Sequence, residues 1–299
     1  MGARAGDHSG SPALQTGAGP VVARIRLGLA LRRHREGRNI SRPAAAVAIS
    51  APAATLSGLE LGQVPARLRD VIALCELYGI DDLAERAALL SLAREASVPG
   101  WWSAFADVVP DWFGPFLGLE HSAEGIRSYD PQFVPGLLQH RDYASAVIGL
   151  GGHRCHPDEL EHRLALRMAR QRRLHDSDDP PKVWAIIDET VLYRRVGDRM
   201  AMFRQLRHLE QLCDLPELTI QVLPFSAGGH ITGGRPIILL SPQGGSRPDV
   251  VYLEQLTTAL YLDDPRDVEY YRLVLHSLAT MAHPPAETPR ILWEAISKL

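Results

Sequence analysis

Between residues 21 and 95 the sequence breaks into short apolar segments separated by turn residues, and this spacing constrains the fold more than any other feature. Leu27 and Leu31, with Ile25 and Leu29, predict the apolar side of a first helix studded with Arg24, Arg32, Arg33 and Arg35. Ser41 reads as an N-cap, with Pro43 in the first turn of a second helix over about 42–48. Ser50-Ala51-Pro52 opens a third short helix that runs to about Gly58. Leu68, Val71, Ile72 and Cys75 predict a fourth helix closed by Gly79, and Asp81 reads as the cap of a fifth reaching about Glu95. Five short helices with tight turns, the second and third nearly abutting, predict an all-α helix-turn-helix domain over 21–97. Residues 1–20 are Gly, Ala, Ser and Pro with few apolar anchors and read as a disordered tail.

After a Pro-, Gly- and Trp-rich connection from Pro99 to Pro115 the character changes. Helical patterns fall at about 120–127, 135–149, 157–175, 198–212, 265–282 and 287–297. Strand-like runs fall at 183–188, 218–224, 236–241, 249–254 and 258–262. The mixture predicts a larger α+β domain over 98–299, so the chain as a whole reads as α+β.

Composition narrows the function classes. The net charge of −3 offers no whole-chain attraction to phosphate or to an acidic membrane, but residues 1–95 carry +3 and the remainder −6. Arg outnumbers Lys by 30 to 2, which reads as a coding bias of a GC-rich genome. Cys75, Cys155 and Cys213 are scattered without a CxxC spacing, which argues against a disulfide scaffold and a cysteine zinc site. His153-Arg154-Cys155-His156 has no partner pair elsewhere, so no metal site is expected. No stretch approaches the roughly 20 apolar residues of a membrane span, and no signal or myristoylation pattern opens the chain. The expected location is the cytoplasm, with no membrane partner.

Several motifs stand in a fixed order along the chain. They are Leu27-Gly28 with Leu31-Arg32, Glu60 with Gly62, Leu77-Tyr78-Gly79, Pro99-Gly100-Trp101-Trp102 and Tyr129-Asp130-Pro131. Val134-Pro135-Gly136-Leu137-Leu138-Gln139, Tyr143-Ala144 and Arg167-Met168-Ala169-Arg170-Gln171 follow. Asp188-Glu189, Gln221-Val222-Leu223-Pro224-Phe225 and Val251-Tyr252-Leu253-Glu254 complete the series. In these residues the N-terminal part resembles lambda-repressor-like, Xre-type helix-turn-helix domains. Residues 22–299 as a whole resemble the actinobacterial Xre-type regulators that carry a large C-terminal domain of unknown function. The resemblance implies DNA binding, with the third helix in the major groove presenting polar side chains to base edges. Here the family's Gln-Ser-Lys…Arg pattern falls on Ala53, Ala54, Thr55 and Gly58, so only Thr55 and Ser57 can donate or accept a hydrogen bond. Arg32, Arg35, Arg38, Arg42 and Arg67, with Arg24, Arg33 and Arg69, are the candidate phosphate contacts, which position a domain without reading sequence.

In the second domain Trp101 and Trp102, with Phe105, Trp112 and Phe113, read either as the lining of a ligand pocket or as a clamp between domains. Tyr129, Tyr143, Tyr252 and Tyr261 are the candidate polar handles of a ligand site. Asp188, Glu189, Glu254 and His230, with Asp263 and His276 behind them, are the candidate acid–base groups; helix capping is the plainer reading of the acids. His230 lies in a Gly-rich run without the strand and helix context of a dinucleotide site. Arg163, Arg167, Arg170 and Arg173 recur on one side of a helix and read as a solvated or dimer-facing stripe. No cofactor is expected. The first functional expectation is a ligand-responsive transcription factor, partnered by DNA, by a small molecule or small protein, and by a second copy of itself. The second is a repurposed scaffold acting as a cofactor-independent acid–base cyclase, isomerase, dehydratase or hydrolase on a small metabolite.

Overall fold

The computed structural model describes residues 20–60, 62, 64–98, 100–151, 156–175, 179–242 and 249–299. The predicted tail, apart from Pro20, lies outside the described residues, as do His153, Arg154 and Cys155.

The N-terminal region is five helices: α1 (Pro20–Gly37), α2 (Arg42–Ala48), α3 (Ala53–Glu60), α4 (Leu68–Leu77) and α5 (Leu83–Ala96). Ser41 caps α2 as its sequence predicts, its Oγ accepting from the Ala44 N–H at 3.3 Å. α4 ends in a left-handed Gly79 (φ +62°), where the Ile80 N–H reaches back to the Cys75 carbonyl at 2.9 Å. The cap of α5 is Asp82, not Asp81: its carboxylate accepts from the N–H groups of Ala84 and Glu85. Leu27, Leu31, Ala46, Leu56, Leu59, Val71, Leu74, Tyr78 and Leu89 form the core of this bundle. Gly28 lets α1 lie directly on α3, because a Cβ there would sit 2.5 Å from the Leu59 carbonyl oxygen.

Ile25 and Leu29 do not share a side with Leu27 and Leu31. Two residues along a helix is about 200° of rotation, so the pairs point in opposite directions. Leu27 and Leu31 enter the helical core, whereas Ile25 and Leu29 pack with Trp102 into the core of the C-terminal region. α1 is apolar on two sides because it is covered on two sides.

A 3-10 turn (Trp101–Phe105) leads into the C-terminal region. Its elements are α6 (Gly114–Ser122), β1 (Ala123–Asp130), α7 (Arg141–Leu150), α8 (Pro157–His175), β2 (Lys182–Asp188), α9 (Thr190–Tyr193) and α10 (Arg199–Leu212). There follow β3 (Leu218–Leu223), β4 (Ile237–Pro242), β5 (Val250–Glu254), β6 (Ala259–Leu262), α11 (Pro265–Met281) and α12 (Thr288–Ser297). The six strands form one mixed sheet in the order β3-β2-β1-β4-β5-β6. β1, β2 and β3 run parallel, and β4, β5 and β6 continue the sheet antiparallel. One sheet face carries Ile126, Ala185, Ile187, Ile220, Val222, Leu240 and Tyr252 against Phe116, Leu117, Leu206 and Leu209 of the helices. The opposite face carries Tyr129, Ile186, Leu239 and Val251 against Val268, Leu275 and Leu278 of α11.

The overall architecture is therefore α+β, with a helical N-terminal region and a sheet layered between helices. The helix predicted at 120–127 is corrected: α6 ends at Ser122 and residues 123–130 are β1, the strand between the parallel and antiparallel halves. The helix predicted over 135–149 is a 3-10 turn (Gly136–Leu138) followed by α7. Among the described residues, no helix is long and apolar enough to cross a membrane.

Candidate nucleic-acid interface and the carboxyl edge of the sheet

α2 and α3 are joined by four residues, with Ile49 buried beneath the turn and Ser50 in the left-handed region (φ +51°). Leu56 and Leu59 bury one side of α3. The other side leaves Ala53, Ala54 and Thr55 exposed and Ser57 half-buried, and Ala44, Val47 and Ala48 of α2 are exposed beside them. The first turn of α3 thus meets solvent with methyl groups and one hydroxyl.

The arginines divide into two sets. Arg35 is buried, and its guanidinium grips the equally buried Glu60 through Nε (2.5 Å) and Nη2 (3.0 Å) while donating to the Ile40 carbonyl. This corrects the sequence-based assignment of Arg35 to phosphate, because its donors already have partners inside the domain. Arg24 is likewise tied to the Ala96 carbonyl at 3.1 Å. Arg42 also reaches Glu60 (3.2 Å) from the start of α2, but its side chain stays 43% exposed. Arg67, immediately before α4, and Arg33 are exposed; Arg69 is exposed beside Asp70. Arg32 pairs with Glu36 at 2.9 Å, and Arg38 donates to the Gly79 carbonyl at 3.0 Å. Glu60 therefore links α1, α2 and α3 from one buried carboxylate.

In the C-terminal region the strand ends bring three predicted residues together. Tyr129 lies one residue from the end of β1, beside β2, and its hydroxyl lies 3.5 Å from Asp188 Oδ2 and 3.0 Å from His230 Nε2. His230 Nδ1 lies 2.8 Å from the Thr232 hydroxyl. One placement of protons satisfies all of them: Thr232 donates to Nδ1, Nε2–H donates to Tyr129, and Tyr129 donates to Asp188. Asp188 Oδ1 also accepts from the Thr190 N–H at 2.8 Å, across the turn that leads into α9. Burial, reinforced by the Asp188 carboxylate, pushes the Tyr129 phenol up to about 12. Glu189 is turned away to the Phe225 N–H at 2.8 Å.

Glu254 lies on another strand and accepts from Tyr252 at 2.8 Å. Tyr252 stacks on Phe116 with ring centres 4.2 Å apart. The Tyr143 hydroxyl accepts from the Val134 N–H at 3.3 Å, and Tyr261 donates to the Trp112 carbonyl at 2.7 Å. All four tyrosine hydroxyls thus bond within the fold. Trp101 stands edge-on to Trp102 at 6.0 Å, and Trp102 packs in the same core as Ile25, the clamp alternative. Asp263 and His276 do not join the Tyr129 group; His276 borders a small crevice beside Trp184.

The arginine stripe of α8 is a correction too. Arg170 forms a doubly bonded pair with the buried Glu120 (2.8 and 2.7 Å), and Arg173 donates to the carbonyls of Glu120 and Ala123. Arg167 donates to Gln139 at 2.6 Å, and burial with Arg170 beside it lowers its pKa to about 10. Three of the four arginines therefore face inward, whereas Arg163 pairs with Glu159. Sequence reading missed Asp130, whose carboxyl is pushed up to about 7 by burial and by Glu254, against the pull of Arg167. Its only sequence signal is its place between Tyr129 and Pro131, at a strand end that was not predicted. A separate cleft of about 390 Å³ opens between α7 and α10, lined by Asp142, Ser145, Gly197, Asp198 and Arg204, and holds none of the predicted site residues. Of the run 153–156, His156 is described, and it lies 3.2 Å from Asp158.

A family model described as a helix-turn-helix domain matches residues 26–89, from within α1 into α5. A second, described as a domain of unknown function (DUF5753), matches residues 113–294, from just before α6 into α12. No curated protein and no solved structure matches the chain. With residues 113–294 of 299 matched, the chain belongs to the family of the domain of unknown function (DUF5753) and carries a helix-turn-helix domain ahead of it.

Proposed function

We propose that the chain is a DNA-binding transcriptional regulator of the Xre type whose C-terminal domain responds to a small molecule or a small partner protein. The helix-turn-helix itself carries this reading. α3 offers its first turn to solvent, and exposed arginines stand at the starts of the neighbouring helices, Arg42 on α2 and Arg67 and Arg69 at α4. A groove-reading helix flanked by cations suits a duplex with phosphates on both walls of its groove. Sensing is supported by α1, which packs in both cores, so a ligand favouring one arrangement of the C-terminal region would move the helix on which α3 rests. Docking on two half-sites would use a second copy of the chain.

The test is fluorescence anisotropy of the full chain with the duplex upstream of its own gene and a scrambled duplex, from about 50 to 200 mM salt. The reading expects log affinity to fall linearly with log salt. Equal failure to bind either duplex at the lowest salt would overturn it.

A second reading, a cofactor-independent acid–base enzyme, is favoured by the Tyr129–Asp188–His230 group at the carboxyl edge of the parallel strands. In open sheets that edge is where ligands bind. Turnover of a candidate metabolite that is lost in Tyr129→Phe and His230→Ala would support it.

A further inference from the structure

We infer that the helix-turn-helix face selects thymine-bearing duplexes through the C5-methyl groups in the major groove, rather than through hydrogen bonds to base edges. The inference rests on the DNA-binding reading above and says what that site recognises.

Bases are distinguished in the major groove by donors, acceptors and one apolar feature, the thymine methyl. Amide and guanidinium forks read the first kind; small apolar side chains read the second. The N-terminal residues of a recognition helix are those that meet the bases. On α3 these are Ala53, Ala54 and Thr55, all exposed, with Pro52 exposed just before them. Beyond Arg42, the exposed side chains of the adjoining α2 are also short or apolar: Pro43, Ala44, Ala48, and Val47 at 77% exposure. Thr55 alone in this set carries a hydroxyl, and it carries a methyl as well.

A further observation assigns this apolar face to DNA. Exposed arginines stand on the helices packed around it: Arg42, beside Glu60, at the start of α2, which lies on α3, and Arg67, with Arg69 beside Asp70, at the start of α4, which lies on α2. That charge pattern complements phosphate on either side of a groove. With alanines at these positions, no long side chain would stand between the α3 backbone and the base edges. The exposed methyls would therefore be dehydrated against the groove floor. Burying one methyl group changes affinity about fourfold, so two or three thymines together give tenfold or more.

The experiment uses the full chain and a duplex selected from a random-sequence library by repeated binding. That duplex is resynthesised with uracil replacing thymine one position at a time, which removes only the 5-methyl group. Binding is followed by anisotropy. The expected result is two or three adjacent positions at which uracil weakens binding about fourfold each, with no change at other thymines. At those positions a guanine–5-methylcytosine pair should bind more tightly than guanine–cytosine. Uracil tolerated at every position, with binding still salt-dependent, overturns the methyl readout but leaves DNA binding standing. No salt-dependent binding to any library member overturns DNA binding itself, and the apolar face then belongs to a protein partner. As a check on placement, Ala54→Asp on this exposed position should keep the thermal transition and lose affinity at least tenfold. Unchanged affinity in that variant would overturn the placement of α3 at the bases.

Discussion

At the scale of single residues, Glu60 shows how far a side chain's role depends on positions distant in sequence. Its carboxylate is buried under three hydrogen bonds from Arg35 and Arg42. Removing one member of a buried pair strands the other, at a cost of about 3–5 kcal/mol, whereas replacing both with apolar groups is often neutral. Glu60→Ala should therefore unfold the helical region far more readily than the double variant Arg35→Met/Glu60→Leu, as measured by urea denaturation. Asp130 gives a prediction in pH. Its carboxyl holds its proton up to about 7 in the folded protein against an ordinary value of 3.8. The folded state then binds more protons than the unfolded state between those limits, so stability falls as pH rises through that window. Asp130→Asn should flatten this part of the pH profile of the unfolding midpoint, with its gain over wild type largest above pH 7. Neither role is legible locally: Arg35 reads as a surface cation until a carboxylate 25 positions away is seen to meet it.

At the scale of elements, the sequence is clear where structure is decided within a few residues. Ser41, Gly79 and α8 were placed from neighbours alone, because a cap, a left-handed turn and a long amphipathic period are local events. β1 escaped because Ala-Glu-Gly-Ile-Arg-Ser-Tyr-Asp has one β-branched residue and no clean alternation; pairing on both sides makes it a strand. The Tyr129–Asp188–His230 group depended on that strand, so its members were named singly but not assembled. The segment from Gly228 to Gly234 follows from the same group. A Cβ placed at Gly228, Gly229, Gly233 or Gly234 would touch nothing, and His230 holds the segment to the sheet edge. His230→Ala should speed amide exchange over this segment about tenfold, the worth of one hydrogen bond, while leaving the sheet protected. Unchanged exchange would mean that another contact holds the loop.

At the scale of the whole molecule, α1 belongs to two cores at once, with Leu27 and Leu31 facing one and Ile25 and Leu29 the other. Trp102 is buried in the core that Ile25 also enters, so Trp102→Ala should cost about 3–5 kcal/mol. The loss should also split a single calorimetric transition into two, because the regions would then melt separately. One unsplit transition in the variant would show that the coupling lies elsewhere. The sequence announced two regions correctly but gave one apolar side to a helix that has two, since residues 25, 27, 29 and 31 look like one cluster when written in a line. This shared helix bears on how such a gene can be rearranged. An exchange that cuts near residue 97 and grafts on a foreign reading head would carry away Ile25 and Leu29, leaving the recipient with an unfilled hollow in its C-terminal core. Recombination between relatives should therefore tolerate an exchange bounded on both sides and confined to α2 and α3, which changes only what is read, better than one that also replaces α1.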